Sequence, residues 1–258
     1  MTDDSELSER PRRRGIYLLP NLITTLALFF GFYAVVAALS GAYEMAAIAV
    51  LVAMIMDGLD GRVARLTNTQ SDFGVQYDSI ADMVSFGVAP ALVVYAWALE
   101  DLGELGPAWD KLGWLGAFIY TACAGLRLAR FNTQVGAADK RYFQGLPSPA
   151  AAATLAGLVW AGDRLEFGGW PAGIPTLIIT VLAGILMVSN VRYDSFKEID
   201  FRYRVPFVAM VLGVLGVALL SLHPPTVLFA LALTYMGSGP ILTVLRRRRR
   251  RRKRRKAG

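Results

Sequence analysis

Long apolar blocks are the feature that most limits how this chain of 258 residues can fold. A helix needs about 20 mostly apolar residues to cross about 30 Å of hydrocarbon, and a sheet with open edges would leave backbone groups unsatisfied in lipid. The sequence therefore predicts an all-α integral membrane protein, a polytopic bundle of about eight transmembrane helices. The predicted spans are residues 19–39, 43–62, 80–99, 113–130, 147–162, 172–190, 205–222 and 225–245.

Lys and Arg residues fall very unevenly on the two sides of this predicted bundle. Cytoplasmic segments carry an excess of both, and a cytoplasmic N terminus leaves only Lys111 and Arg164 outside, of 27 in total. We therefore expect an integral protein of the inner cell membrane with both termini cytoplasmic. The expected divisions are a disordered cytoplasmic head (1–15), a transmembrane catalytic domain (16–245) and a polybasic cytoplasmic tail (246–258).

The tail holds eleven consecutive basic residues, Arg246 to Lys256, whereas the whole chain has a net charge of only +7. The rest of the chain is thus acidic overall, which argues against a nucleic-acid-binding protein. We expect the tail to set topology and bind the leaflet surface, in preference to binding nucleic acid or a regulatory partner. With one cysteine, Cys123, and one histidine, His223, a disulfide, a zinc site or a histidine-based triad is not expected, and carboxylates must carry any chemistry.

Five aspartates lie between and within the second and third predicted spans. Asp57 and Asp60 are three residues apart and share a helix face; Asp78 and Asp82, four apart, share a face of the next helix. Each charge near the bilayer centre costs about 2.5–3.5 kcal/mol on insertion scales, so the four require compensation. Oxygen ligands favour hard cations such as Mg²⁺ or Mn²⁺, and four carboxylates can hold two ions. We interpret the fifth, Asp72, as a helix cap, with Ser71 as the alternative.

Three further residues share the face of Asp57 and Asp60. Gly61 and Ala64 remove side-chain bulk there, and Arg65 offers a planar guanidinium that suits a phosphate. Bound metals, an arginine and a helix face without bulky side chains together indicate a nucleotide diphosphate as the ligand.

The stretch "DGLDGRVARLTNTQSDFGVQYDSIAD" resembles the motif of the CDP-alcohol phosphotransferase family, D-x-x-D-G-x-x-A-R-x8-G-x3-D-x3-D. The resemblance implies the family's fold, with two helices beyond its six-helix core, and a homodimer. It implies displacement of CMP from a CDP-linked lipid by an alcohol, with two divalent cations as cofactors. The implied metal ligands are Asp57, Asp60, Asp78 and Asp82, with Asp82 also the general base. The implied CDP-binding residues are Gly61, Ala64, Arg65 and Gly74. Asn21 and Thr24 either line the same nucleotide site or cap the first helix.

Three other stretches, "LPNLITTLALFFGFYA", "LRLARFN" and "FQGLPSPAAAA", resemble the bacterial phosphatidylserine synthase branch of the family. This implies CDP-diacylglycerol and L-serine as substrates. Arg127 and Arg130 could bind the serine carboxylate or anchor the helix at the membrane surface. Asn132 could contact serine or end the helix. Glycerol phosphate and inositol phosphate remain alternative acceptors, and a divalent-cation transporter remains the alternative from another class.

Overall fold

The computed structural model describes residues 18–67, 69, 71–133, 142–194, 215–216 and 218–257. Almost all of these residues are helical, and from α1 to α6 each long helix runs opposite to the one before it. In chain order the elements are α1 (Leu18–Leu39), α2 (Tyr43–Thr67), α3 (Asp72–Leu105), α4 (Pro107–Thr133), β1 (Tyr142–Gln144), α5 (Ser148–Arg164), α6 (Gly169–Val188), β2 (Arg192–Asp194) and α7 (Pro224–Ala257).

Five of the described helices, α1, α3, α4, α6 and α7, are long and apolar enough to cross a membrane. The other two predicted spans are also helices, but α2 carries Glu44, Asp57 and Asp60 in its first 18 residues and α5 has only 17 residues. The predicted span 205–222 lies mostly outside the described residues. The prediction of an all-α membrane bundle is confirmed.

Small side chains hold the first two helices together. Buried alanines line the α1–α2 contact, among them Ala34, Ala38, Ala46 and Ala53. Small residues allow close helix packing in lipid, where apolar burial gives little driving force between helices. The antiparallel pair brings the start of α1 beside the end of α2, the two segments that carry Asn21, Thr24 and the first two aspartates.

The helix α3 is longer than the predicted span 80–99. Ser71 is its N-cap, with backbone angles φ −131° and ψ 153°, and its side chain accepts a hydrogen bond from Gly74 N at 3.0 Å. The interpretation of Asp72 as the cap is therefore wrong: Asp72 is the first helical residue, where a carboxylate interacts favourably with the helix dipole.

A wide π-helical turn, Met83–Val88, follows Asp82 directly, and a second covers Tyr95–Leu99. In the first, Ala89 N–H donates to Val84 O, five residues earlier. A π turn leaves backbone groups that need other partners. Tyr120 of α4 supplies one, because its hydroxyl donates to Phe86 O at 2.9 Å.

Two short strands form an antiparallel ribbon, with Phe143 opposite Tyr193. The ribbon follows the ends of α4 and α6 and precedes α5, so it lies beyond the helix ends. Gly145 joins it to α5 with a positive φ of 82°, and a Cβ there would collide with Met187 O. Glycine is the residue that tolerates both conditions.

Tyr193 of the ribbon holds the last helix in place. The side chain is 1% exposed, and its hydroxyl donates to Met236 O at 2.9 Å. Residue 240, four positions after Met236, is Pro, which has no N–H to donate to that carbonyl. Gly239 lies directly against the Tyr193 ring, where a Cβ would collide with ring atoms. The tyrosine therefore satisfies the carbonyl that the proline leaves free.

The two ends of the chain are described unequally. The predicted head, residues 1–15, lies outside the described residues. The backbone of α7 continues as a helix past Leu245, the last apolar residue before the polybasic run, to Ala257.

Candidate active site

The four predicted aspartates converge at one end of the bundle, which we call the site face. It comprises the starts of α1, α3 and α5 and the ends of α2 and α4. One carboxylate oxygen from each of Asp57, Asp60 and Asp78 lies within 4.8 Å of the other two. The Asp82 carboxyl lies close enough to that of Asp57 for the two to interact electrostatically. The face of α2 with Asp57 and Asp60 and the face of α3 with Asp78 and Asp82, both predicted from spacing, therefore meet in one cluster.

Thr24 orients one of these carboxylates. Its hydroxyl donates to Asp60 Oδ2 at 2.7 Å and lies 3.1 Å from Pro20 O. Both side chains are almost fully buried, at 4% exposure for Thr24 and 5% for Asp60. Such a bond fixes the rotamer of a potential metal ligand. Thr24 thus acts on a carboxylate of the cluster, a contact that the sequence did not indicate.

Among the described residues, no Lys or Arg is recorded in an ion pair with these carboxylates. There the recorded ion pair joins Arg164 to Glu44 at 2.6 Å, at the opposite end of the bundle. Clustered, partly buried carboxylates repel one another and need positive charge nearby. An all-oxygen donor set of this kind fits a hard divalent cation, so Asp57, Asp60 and Asp78 could form a metal site.

The predicted nucleotide-binding residues surround the cluster. The Arg65 guanidinium lies close to Gly61, where a Cβ would be 3.7 Å from one of its terminal nitrogens. Gly74 lies beside Asn21, whose Oδ1 would be 3.3 Å from a Cβ at Gly74. Ala64 is half-buried one turn after Asp60, and Arg65 is exposed. The side chains of Asn21 and Arg65 therefore flank the cluster on α1 and α2.

Arg127 is a partly buried cation close to the cluster. One terminal nitrogen donates to Ser148 Oγ at 2.8 Å, while Nε is buried and has no hydrogen-bond partner among the described residues. Asp82 is the carboxylate that acts on it electrostatically. An unpaired buried donor is costly, and it points to a group that the described part of the chain does not supply.

Arg130 and Asn132 contact the protein instead. Arg130 donates to Gln144 Oε1 at 2.6 Å and Asn190 Oδ1 at 2.9 Å, and reaches Val188 O at 3.4 Å. Asn132 Nδ2 donates to Ser79 Oγ at 3.1 Å. These bonds tie the end of α4 to α6, to the ribbon and to the turn of α3 that bears Asp78.

Two further polar contacts of the site face, besides that of Thr24 with Asp60, were missed by sequence reasoning. Ser148 holds Arg127, and Thr25 Oγ1 lies 2.9 Å from the Tyr77 hydroxyl, which joins α1 to α3. A serine or threonine in an apolar helix gives no signal of its partner in the sequence. Only the packing of the helices reveals these contacts.

Comparison with known proteins agrees with this geometry. A profile of the CDP-alcohol phosphatidyltransferase family matches residues 17–236. The chain belongs to this family. As a CDP-alcohol phosphatidyltransferase it has similar relatives in both bacteria and archaea.

The CDP-diacylglycerol–serine O-phosphatidyltransferase of Helicobacter pylori (strain ATCC 700392 / 26695) is 39% identical, over 73% of this chain and 77% of that protein. The protein of the same name from Mycobacterium leprae (strain TN) is 34% identical, over 89% and 77% of the two chains. The archaetidylserine synthase of Methanothermobacter thermautotrophicus (strain ATCC 29096 / DSM 1053 / JCM 10044 / NBRC 100330 / Delta H) is 32% identical, over 68% and 69%.

Proposed function

We propose that this phosphatidyltransferase transfers the phosphatidyl group of CDP-diacylglycerol to the hydroxyl of L-serine and releases CMP. The observation that carries this is the carboxylate cluster of Asp57, Asp60 and Asp78, with Asp82 one turn further along α3, in a chain of this family. The choice of serine is supported by the names of the relatives, including the archaeal one, whose name shares the serine acceptor. Membership of the family argues against the transporter alternative.

In the proposed reaction the serine oxygen bonds to the lipid-linked phosphorus, and the bond from that phosphorus to the CMP oxygen breaks. Asp82 accepts the proton of the serine hydroxyl. Asn21, Gly61, Ala64, Arg65 and Gly74 would bind the CDP portion, and Thr24 would hold Asp60 in place. The four aspartates would hold two divalent cations, Mg²⁺ or Mn²⁺, which would neutralise charge on the diphosphate.

We place the site face on the cytoplasmic side of the inner membrane, with both termini cytoplasmic. The support is the positive-inside distribution, which leaves only Lys111 and Arg164 for the other side. Serine and CMP would then enter and leave from the cytoplasm. The active form is proposed to be a homodimer, as the family resemblance implies.

Arg127 is our candidate for the residue that binds the serine carboxylate. Its buried Nε has no partner among the described residues, and the side chain interacts electrostatically with Asp82. A carboxylate bound by Arg127 would therefore lie near the proposed base. Arg130 and Asn132 would frame this pocket through their ties to Gln144 and Ser79.

Replacing Arg127 with Ala should raise KM for serine about tenfold to a hundredfold, because a charge-assisted hydrogen bond contributes about 1.5–3 kcal/mol. The KM for CDP-diacylglycerol should change little. The control is Arg130→Ala, which should lower thermal stability more than it raises KM for serine. Steady-state kinetics with each substrate varied, and melting curves, provide the measurements. An unchanged KM for serine in Arg127→Ala would remove Arg127 from the pocket.

The test of the function is a panel of acceptors. Purified protein is incubated with CDP-diacylglycerol, Mg²⁺ or Mn²⁺ and either L-serine, glycerol 3-phosphate or inositol phosphate, and CMP release is followed. Release with serine is the expected result. CMP release only with glycerol 3-phosphate or inositol phosphate would refute serine as the acceptor. No CMP release with any acceptor would refute the proposed phosphatidyltransferase activity.

A further inference from the structure

The polybasic run Arg246–Lys256, which we call the basic helix, continues α7 without a break in the helical backbone. Every one of its eleven residues is Arg or Lys. Its positive charge is therefore spread around the whole helix, whichever way it is rotated. This charge is not used in the proposed reaction.

The contacts of α7 fix the side of the membrane on which the basic helix emerges. Tyr193 binds Met236 O and packs against Gly239, and the ribbon that carries Tyr193 also contacts Arg130 through Gln144. The C-terminal part of α7 thus lies at the site face. The basic helix emerges on the same side as the carboxylate cluster.

Distances along the helix place its charge at the headgroup layer. The apolar part of α7 ends at Leu245, directly before Arg246, and each helical residue rises about 1.5 Å. Headgroups occupy about 5–7 Å on each side of the hydrocarbon, so Arg246 begins within them. The full run extends about 16 Å, and electrostatic attraction persists for about 8–10 Å beyond the surface. At least the first half of the basic helix is therefore within reach of lipid charge, and all of it if α7 tilts at Pro240.

We propose that the basic helix is a lipid-binding surface that collects anionic phosphate headgroups at the site face, above all the diphosphate headgroup of the donor lipid. The site carries four aspartates, which repel an anionic substrate unless cations are bound. A nearby run of basic residues offsets that repulsion for lipids that diffuse in the leaflet. Each Lys or Arg near an anionic surface contributes about 1 kcal/mol of attraction. Lipid is favoured over nucleic acid because the headgroups are held permanently beside the basic helix. The inference rests on the proposed function only for the identity of the donor lipid.

The test compares three full-length proteins in phosphatidylcholine nanodiscs, where both membrane faces are accessible. They are the natural chain, a variant with Gln at every position of Arg246–Lys256, and a control with Lys at each Arg of the run. We expect the Gln variant to show KM for CDP-diacylglycerol raised about tenfold, the low end of the enrichment that a charged surface produces. Its kcat and KM for serine should match those of the natural chain. The Lys control should behave as the natural chain does.

Two further measurements make the test independent of activity and of folding. In about 1 M salt, charges are screened beyond about 3 Å. The difference in KM for CDP-diacylglycerol between the Gln variant and the natural chain should therefore disappear. In a separate sample, each protein is mixed with phosphatidylglycerol in detergent, and native mass spectrometry should detect this lipid on the natural chain and the Lys control but not on the Gln variant. Equal KM and equal lipid retention in all three proteins would overturn the proposal, as would high-affinity binding of an RNA oligonucleotide with no change in KM. If none of the three releases CMP with serine, the proposed function fails, while lipid retention still decides the role of the basic helix.

Discussion

Replacing Asp82 with Asn is expected to lower the rate of CMP release by about a thousandfold, within the range for loss of a general base. The amide keeps the size of the side chain but cannot accept the serine proton. Asp82 lies one helical turn after Asp78 on α3 and interacts electrostatically with Asp57. Because Asn has the same size as Asp, the substitution should alter the chemistry without opening the bundle. The measurement is CMP release under saturating serine and CDP-diacylglycerol, with CDP binding measured separately.

The matched control for this substitution is Asp72→Asn. Asp72 is on the same helix but exposed, in its first turn and outside the cluster, so the control should retain activity close to that of the natural chain. Nucleotide binding by Asp82→Asn should persist, because the other three carboxylates remain. Full activity in Asp82→Asn would exclude Asp82 as the base, and equal losses in both variants would show a general effect of charge.

Chelation of divalent cations by EDTA should stop turnover, weaken CDP binding and lower thermal stability together. Without cations, four carboxylates on α2 and α3 repel one another across the contact between these helices. A ligand at about a hundred times its Kd stabilises the folded state by about 2.7 kcal/mol, which corresponds to a melting shift of about 5–10 °C for a chain of this size. Melting curves and CDP titrations with and without EDTA measure the effect.

Adding Mg²⁺ or Mn²⁺ in excess should reverse all three losses. An Asp60→Asn variant supplies the control, because its melting temperature should respond less to EDTA than that of the natural chain. If EDTA changes neither nucleotide affinity nor melting temperature, the carboxylate cluster does not bind metal in the way proposed.

The cluster could be predicted because helix periodicity is local. Asp57 and Asp60 on one helix, and Asp78 and Asp82 on the next, share faces by spacing alone, and a short connection makes the two helices antiparallel. The first span was predicted at 19–39 and the helix is Leu18–Leu39. Such positions follow from the length of the apolar block, which the thickness of hydrocarbon fixes.

Contacts between distant segments could not be predicted in this way. Arg127 and Arg130 are equivalent in the sequence, three residues apart near one helix end. In the structure, Arg130 is occupied by Gln144 and Asn190, and Arg127 retains an unpaired nitrogen. The difference arises from how α4 packs against α5 and α6, and neither spacing nor composition carries that information. The cap at Ser71, which spacing did not separate from Asp72, depended in the same way on three-dimensional geometry.

The wide turn after Asp82 has a consequence for how the sequence of α3 can vary. An α-helix fixes the angular position of every later residue relative to every earlier one, but a π turn absorbs an extra residue within a continuous helix. The angle at which Asp78 and Asp82 face α2 is therefore set separately from the angle at which the lipid-embedded half of α3 meets α1 and α4. Substitutions in that deeper half can therefore change its packing while the carboxylates of Asp78 and Asp82 keep their orientation toward α2.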